Sequence, residues 1–328
     1  MTRLGYQIPN FTYPGVAAAD LFDTIARQAR EAEASGFDTV LVMDHFFQLP
    51  MLGPPTNEMI ECYTLLAALA RETSKVRLSA LVTGNTYRNP AVLAKTVTAL
   101  DLVSGGRAQL GIGAGWFELE HTAFGIEFGT FTDRFEKLEE SLRIVVPMLR
   151  GEVANLQGDH YTAVDAHNIP APLSRVPVMI GGGGERKTLR MVAQYADESN
   201  LLAEPKDIPR KLDALAAHCE AVGRDRSEIT VSWQRRSCIA PTMEQAVEDA
   251  ADYLATAADL DLRSMSPEDR DFVLAQFIIG DPDTVGERLA ADLALGVDGF
   301  TINAPVNGHI EGRVELLGQT AAKVVGLA

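Results

Sequence analysis

Asp44 and His45 stand together at the end of an apolar run, Phe37 to Met43. A neutral imidazole is the natural proton donor or acceptor near pH 7. Such a pair at a strand end also serves simply to cap a helix or satisfy a turn, and the pair alone does not separate the two readings.

A second stretch, Gly111-Ile112-Gly113-Ala114-Gly115, has the outline of a dinucleotide fingerprint. GxGxxG needs a glycine at 116, however, and that residue is Trp116, too bulky for a close pyrophosphate approach. The run reads either as a strand whose backbone lies close to a flat ligand, with Trp116 and Phe117 as a wall, or as glycines that relieve crowding inside a barrel. Glu118, Glu120 and His121 follow. No fourth ligand has suggestive spacing, so they read as a solvated loop and no metal is expected. Glu136, Glu139 and Glu140 read as the wet face of a helix.

Gly181-Gly182-Gly183-Gly184 precedes Glu185-Arg186-Lys187-Thr188. Glycines between a strand and a helix offer backbone N–H groups at the positive end of the helix, a site for one phosphate. Arg186 and Lys187 add charge. The lysine and hydroxyl spacing is not that of a P-loop, and the alternative is a merely flexible loop.

These stretches must be positioned by strands. Val76 to Val82 has the length and apolar content of a buried parallel strand. Thr83-Gly84-Asn85-Thr86 is turn chemistry at its end, and Pro90 opens a helix. Strands and helices alternate along the chain. Further strands are expected at Leu4–Ile8, Phe37–Met43, Arg107–Gly113, Pro177–Ile180, Glu198–Ala203, Ile229–Ala240 and Gly299–Asn303. Thr242 to Phe277 reads as an extended helical insertion, and a short hairpin is expected around Gly158 to Tyr161. Strict alternation implies a parallel sheet, and about eight βα units favour a closed (β/α)8 TIM barrel with insertions. A single domain over 1–328 is expected. Asp44-His45, the turn after Val82, Gly111–Trp116 and the four glycines would then share the catalytic mouth.

The totals limit the partners. The chain has 328 residues, 46% hydrophobic and 23% charged, with a net charge of −16. That balance argues against nucleic acid and anionic membranes, which need a basic patch. Cys62, Cys219 and Cys238 are far apart, with no CxxC pair, which fits a reducing cytoplasm and no disulfide framework. Met1 to Tyr6 lacks the pattern of a signal peptide, and no run of about 18 apolar residues suggests a membrane span.

Four pieces in this order and spacing resemble the bacterial luciferase-like oxidoreductases, in the branch that uses the deazaflavin coenzyme F420. They are Met43-Asp44-His45-Phe46, Leu81 to Pro90, Gly111 to Trp116, and Gly181 to Glu185 with Thr188-Leu189-Arg190. The resemblance implies a (β/α)8 barrel, usually dimeric, with a non-prolyl cis peptide at Leu81–Val82. It implies that Leu81, Val82, Thr83 and Gly84 back the deazaflavin ring and that Asp44 contacts the ring edge. His45 would lie near the reacting carbon, Gly115 and Trp116 beside the ring, and Gly182, Gly183 and Gly184 at the coenzyme's phosphate. Sugar-phosphate dehydrogenases of this family carry a catalytic glutamate where this chain has Trp116, and no basic set for a substrate phosphate is evident. The expectation is therefore a cytoplasmic, homodimeric oxidoreductase moving hydride between F420 and a small organic substrate, with His45 handling the proton. The alternatives are an FMN-dependent monooxygenase and a non-catalytic F420- or flavin-binding protein.

Overall fold

A computed structural model describes residues 3–327. Met1 and Thr2, the start of the stretch read for a signal peptide, lie outside the described residues, as does Ala328. The strands are β1 (Arg3–Ile8), β2 (Thr39–Val42), β3 (Arg77–Ala80), β4 (Thr83–Gly84), β5 (Ala108–Gly113), β6 (Ala154–Gln157), β7 (Thr162–Ala166), β8 (Val178–Gly181), β9 (Glu198–Leu201), β10 (Thr230–Ile239), β11 (Ile278–Gly280) and β12 (Gly299–Asn303). The helices are α1 (Leu21–Ala34), α2 (Cys62–Glu72), α3 (Pro90–Ser104), α4 (Glu118–Phe124), α5 (Phe131–Leu149), α6 (Thr188–Tyr195), α7 (Ile208–Val222), α8 (Met243–Ala257), α9 (Pro267–Leu274), α10 (Pro282–Leu293) and α11 (Arg313–Val324).

The main sheet has the hydrogen-bonded order β11-β10-β12-β1-β2-β3-β5-β8-β9, and β9 also pairs with β10. The chain is a (β/α)8 barrel. The expected third strand is interrupted: β3 ends at Ala80, the Leu81–Val82 peptide is cis, and β4 resumes at Thr83. The Gly158–Tyr161 hairpin is present as the antiparallel pair β6–β7.

Two compact units make up the chain: Met1–Leu41, Phe46–Ile60 and Ser232–Ala328 in the first, Val42–His45 and Glu61–Val231 in the second. In the first, β12 pairs in parallel with β1 and with β10. Its expected helical insertion is two helices, α8 and α9, with an irregular turn between them. Tyr253, Leu254 and Ala250 of α8 pack with Cys238 and Val306 in an apolar cluster.

The second unit carries the residues singled out for chemistry. β5 lies between β3 and β8 in parallel register, with Leu78 opposite Ala108 and Leu110 opposite Val178. α3 starts where the sequence dictates: Asn89 caps it by accepting from the Ala91 and Val92 amides, Pro90 is its first residue, and Gly105 closes it in the left-handed region. α5 begins with a reciprocal Thr130–Asp133 capping box. Glu140, read as solvated, accepts the backbone amides of Asp159, His160 and Tyr161 and so anchors the hairpin turn.

Candidate active site

β2 runs out at Val42, and the next two side chains but one diverge. Asp44 turns inward and is buried. Arg88 donates to both its oxygens, Nη1 to Oδ2 at 2.6 Å and Nη2 to Oδ1 at 2.9 Å, and the Gly84 amide donates to Oδ2 at 3.1 Å. The same guanidinium reaches Glu61 Oε1 at 2.8 Å and lies 4.9 Å from the Tyr63 ring centre. Tyr63 in turn shares a 2.7 Å hydrogen bond with Thr83. Burial pushes the Asp44 carboxyl up, against the Arg88 hydrogen bonds that lower it. Burial works against the charge on Arg88, but its hydrogen bonds to Asp44 outweigh that and hold its pKa above the ordinary value. A forked donor on a carboxylate is the strong, directional form of this interaction. Asp44 thus fastens the turn that holds Thr83 and Gly84.

The glycines of β5 answer the question the sequence left open. A Cβ on Gly111 would stand 2.1 Å from the Ala80 carbonyl oxygen, and one on Gly113 would stand 2.8 Å from Val82. A Cβ on Gly181 would meet Val82 at 2.7 Å. Gly111, Gly113 and Gly181 therefore make room for β3 and for the side chain of Val82, the crowding reading. Gly115 is different: its φ is +79°, and Thr86 Oγ1 would stand 2.9 Å from its Cβ.

His45 has a different partner. Its Nδ1 lies 2.8 Å from Glu120 Oε2, and its side chain keeps 13% exposure. Trp116 and Phe117 stand edge-on to the imidazole, each 5.9 Å centre to centre, and stack on each other at 5.2 Å. Trp116 is 54% exposed, whereas Phe117 is buried. The two rings form the expected wall, with its outer face open.

The stretch read as a solvated loop is the short helix α4, and Glu120 and His121 are both fully buried. Tyr87 donates its hydroxyl to Glu120 Oε2. His121 Nε2 shares a 2.7 Å bond with Thr86 Oγ1, and its Nδ1 lies 2.8 Å from the Phe117 carbonyl. Reading the charges as wet missed that Phe117, Glu120 and His121 fall at i, i+3 and i+4, the spacing of an inward helical stripe. Among the described residues no cluster of three His, Cys, Asp or Glu is arranged to hold a metal. No described helix is long and apolar enough to cross a membrane.

After β8 the four glycines run into α6, which starts at Thr188. Gly182 has φ +118°, and its amide is committed to the Asn200 carbonyl at 3.0 Å. Its contribution to an anion site is the bend it allows, not its N–H. Lys211 Nζ lies 2.5 Å from the Gly183 carbonyl oxygen, a cation that sequence spacing did not suggest. Lys187 instead lies over the Phe131 and Phe135 rings at 5.3 and 5.4 Å. Beside the Thr83–Gly84 turn, both polar atoms of the buried Asn85 amide lack a protein partner. A buried unpaired amide is costly unless something satisfies it. A planar heterocycle with adjacent carbonyl and N–H groups, carrying a phosphate tail, suits this amide and the glycine loop.

A barrel with its chemistry gathered at the ends of successive strands defines an α/β-barrel enzyme. The family model described as luciferase-like monooxygenase matches residues 2–299, and the chain belongs to that family of oxidoreductases. It is 32% identical over 199 residues to an F420-dependent glucose-6-phosphate dehydrogenase of Amycolatopsis mediterranei, a match covering 60% of this chain and 55% of that protein. It is 28% identical over 275 residues to a 5,10-methylenetetrahydromethanopterin reductase of Methanolobus tindarius, covering 84% and 73%. The chain thus spans little more than half the length of the first of these relatives. Among solved structures, the coenzyme F420-dependent tetrahydromethanopterin reductase of Methanopyrus kandleri matches with TM-score 0.75 and 20% identity over 98% of this chain and 99% of that one. A monooxygenase of Streptomyces bottropensis matches with TM-score 0.79 and 18% identity over 98% and 99%. At such identities these structures establish the fold.

Proposed function

We propose that this chain is a coenzyme F420-dependent oxidoreductase that acts on a small organic substrate, in the direction of reducing a carbonyl, imine or activated alkene. The observation that carries the proposal is the convergence of His45, the Leu81–Asn85 turn and the Trp116–Phe117 wall in a chain whose relatives include F420-dependent glucose-6-phosphate dehydrogenases. The coenzyme supplies the hydride chemistry when bound. The protein supplies position and protons. Leu81, Val82, Thr83 and Gly84 back the ring, with Asp44 holding their turn rather than touching the ring itself. Gly182, Gly183 and Gly184, with Lys211 behind them, hold the phosphate. His45 gives or takes the proton that accompanies hydride, and Gly115, Trp116 and Phe117 shape the pocket and exclude water. Trp116 in place of an acid leaves His45 as the proton carrier and disfavours sugar phosphates as substrates. The working unit is a homodimer, as the family resemblance implies, and the spread of the three cysteines fits the cytoplasm.

The test is anaerobic turnover of reduced F420 against a panel of ketones, imines and enones. Substrate-dependent recovery of the oxidised coenzyme's absorbance is expected. An FMN-dependent monooxygenase is the second reading, favoured by the family's own description and by the fold match to a monooxygenase. Rapid oxygen uptake with reduced FMN, and none of the F420 turnover, would establish it instead. Binding of F420 without turnover on any substrate would leave a non-catalytic carrier, the reading that the His45 setting favours least.

A further inference from the structure

We propose that Glu120 is the positioning residue for His45: it holds the imidazole in the Nδ1–H tautomer and leaves Nε2 as the atom that exchanges a proton with substrate. This rests on the reading of His45 as proton carrier. Glu120 has no exposed side-chain surface, so it does not meet substrate itself. A carboxylate buried to that degree is tolerated only when donors surround it. Two are in place, the Tyr87 hydroxyl and the ring nitrogen His45 Nδ1 at 2.8 Å, both at Oε2. Burial first, and then the Glu120 carboxylate, push the Tyr87 hydroxyl well above its ordinary value, so Tyr87 stays a donor. Oε2 is therefore an acceptor, and the group facing it from His45 is an N–H.

The His45 ring has aromatic neighbours as well. Trp116 and Phe117 stand against it edge-on at 71° and 69°. α4, which carries Glu120, is fixed to the coenzyme-side turn through His121 and Thr86. When substrate is oxidised, its hydroxyl or amine proton passes to the lone pair on Nε2, and the resulting imidazolium sits beside the Glu120 carboxylate. In the reducing direction the same imidazolium returns the proton from Nε2. A buried carboxylate behind a histidine plays this orienting part in catalytic triads. Here the carboxylate comes from α4, the helix after β5.

The experiment has two arms. Side-chain 15N NMR of His45 in the protein without coenzyme reads the tautomer directly, and Nδ1–H is expected. Turnover of Glu120→Gln and Glu120→Asp then separates charge from shape. Gln preserves the shape and removes the charge. Asp preserves the charge on a shorter stem. Loss of roughly 10- to 100-fold in kcat is expected for Gln, with partial recovery in Asp and F420 affinity within about twofold of the parent. A packing role predicts the opposite order, Gln better than Asp. An Nε2–H tautomer in the parent protein, or a Gln variant with parental kcat, overturns the proposal. If the parent shows Nδ1–H but no F420 turnover at all, the functional reading fails while the Glu120–His45 pairing stands.

Discussion

Arg88 grips Asp44 with two hydrogen bonds, at 2.6 and 2.9 Å, across 44 residues of sequence. The bond joins the end of β2 to the start of α3 and encloses the Thr83–Gly84 turn between them. Both partners are largely shielded, so neutralising Asp44 leaves the Arg88 guanidinium to the half-exposed Glu61. Asp44→Asn is expected to cost about 3–5 kcal/mol of folding stability. Because the Gly84 amide loses its ionised acceptor as well, F420 affinity falls in the same variant. Urea unfolding and a coenzyme titration check the two effects. Unchanged stability would mean the pair is dispensable.

His45→Ala removes the proton carrier but no part of the ring's support. Loss of roughly 10²- to 10⁴-fold in kcat is expected, with coenzyme affinity close to that of the parent. Steady-state kinetics beside equilibrium binding separates the two. Equal turnover would contradict the role given to His45.

The glycine loop is tested through Lys211. Its ammonium lies at the Gly183 carbonyl and 3.7 Å from Glu185, with little exposure. Lys211→Met is expected to weaken F420 binding about tenfold and to leave affinity for a coenzyme fragment without phosphate unchanged. Isothermal titration with both ligands gives the comparison.

Away from the site, His309 stacks on Tyr13 at 5.2 Å and 11°, and its Nδ1 is buried without a partner. Burial, with Arg27 adding to it, lowers its pKa from 6.5 to about 4. The unfolded chain therefore binds a proton more readily than the folded one between those values. Stability from the neutral ring is complete above about pH 6.5 and is lost progressively as pH falls toward 4. At roughly 1.4 kcal/mol per pH unit the contribution is on the order of 3–4 kcal/mol. His309→Phe keeps the stacking and should flatten the pH dependence of urea unfolding in that window. An unaltered slope would assign the acid sensitivity elsewhere.

Strands such as β2, β5 and β8, and the loops after them, were legible because each is a short apolar run closed by turn residues. What was not legible depended on partners far off in sequence. Glu120 and His121 are charged and polar residues in a seven-residue helix, too short for periodicity to stand out, and their burial is decided by His45, Tyr87 and Thr86. The resemblance implied Asp44 at the ring edge but not that Arg88 and Gly84 hold its oxygens, a choice only the fold makes. For the glycines of β5 a ligand cradle and barrel crowding both stayed open, because the sequence does not reveal that Val82 fills the space beside Gly113 and Gly181.

Intrinsic tryptophan fluorescence reads whether a coenzyme ring binds beside His45. The chain has two tryptophans. Trp233 is fully buried in a strand, whereas Trp116 is half-exposed beside His45, so a ring bound at this mouth reports through Trp116. Titration with F420 should quench the emission with a micromolar midpoint, FMN should do little, and Trp116→Phe should abolish the response. Tighter quenching by FMN would move the chain to the flavin monooxygenases, and a response to neither would contradict the coenzyme site placed here.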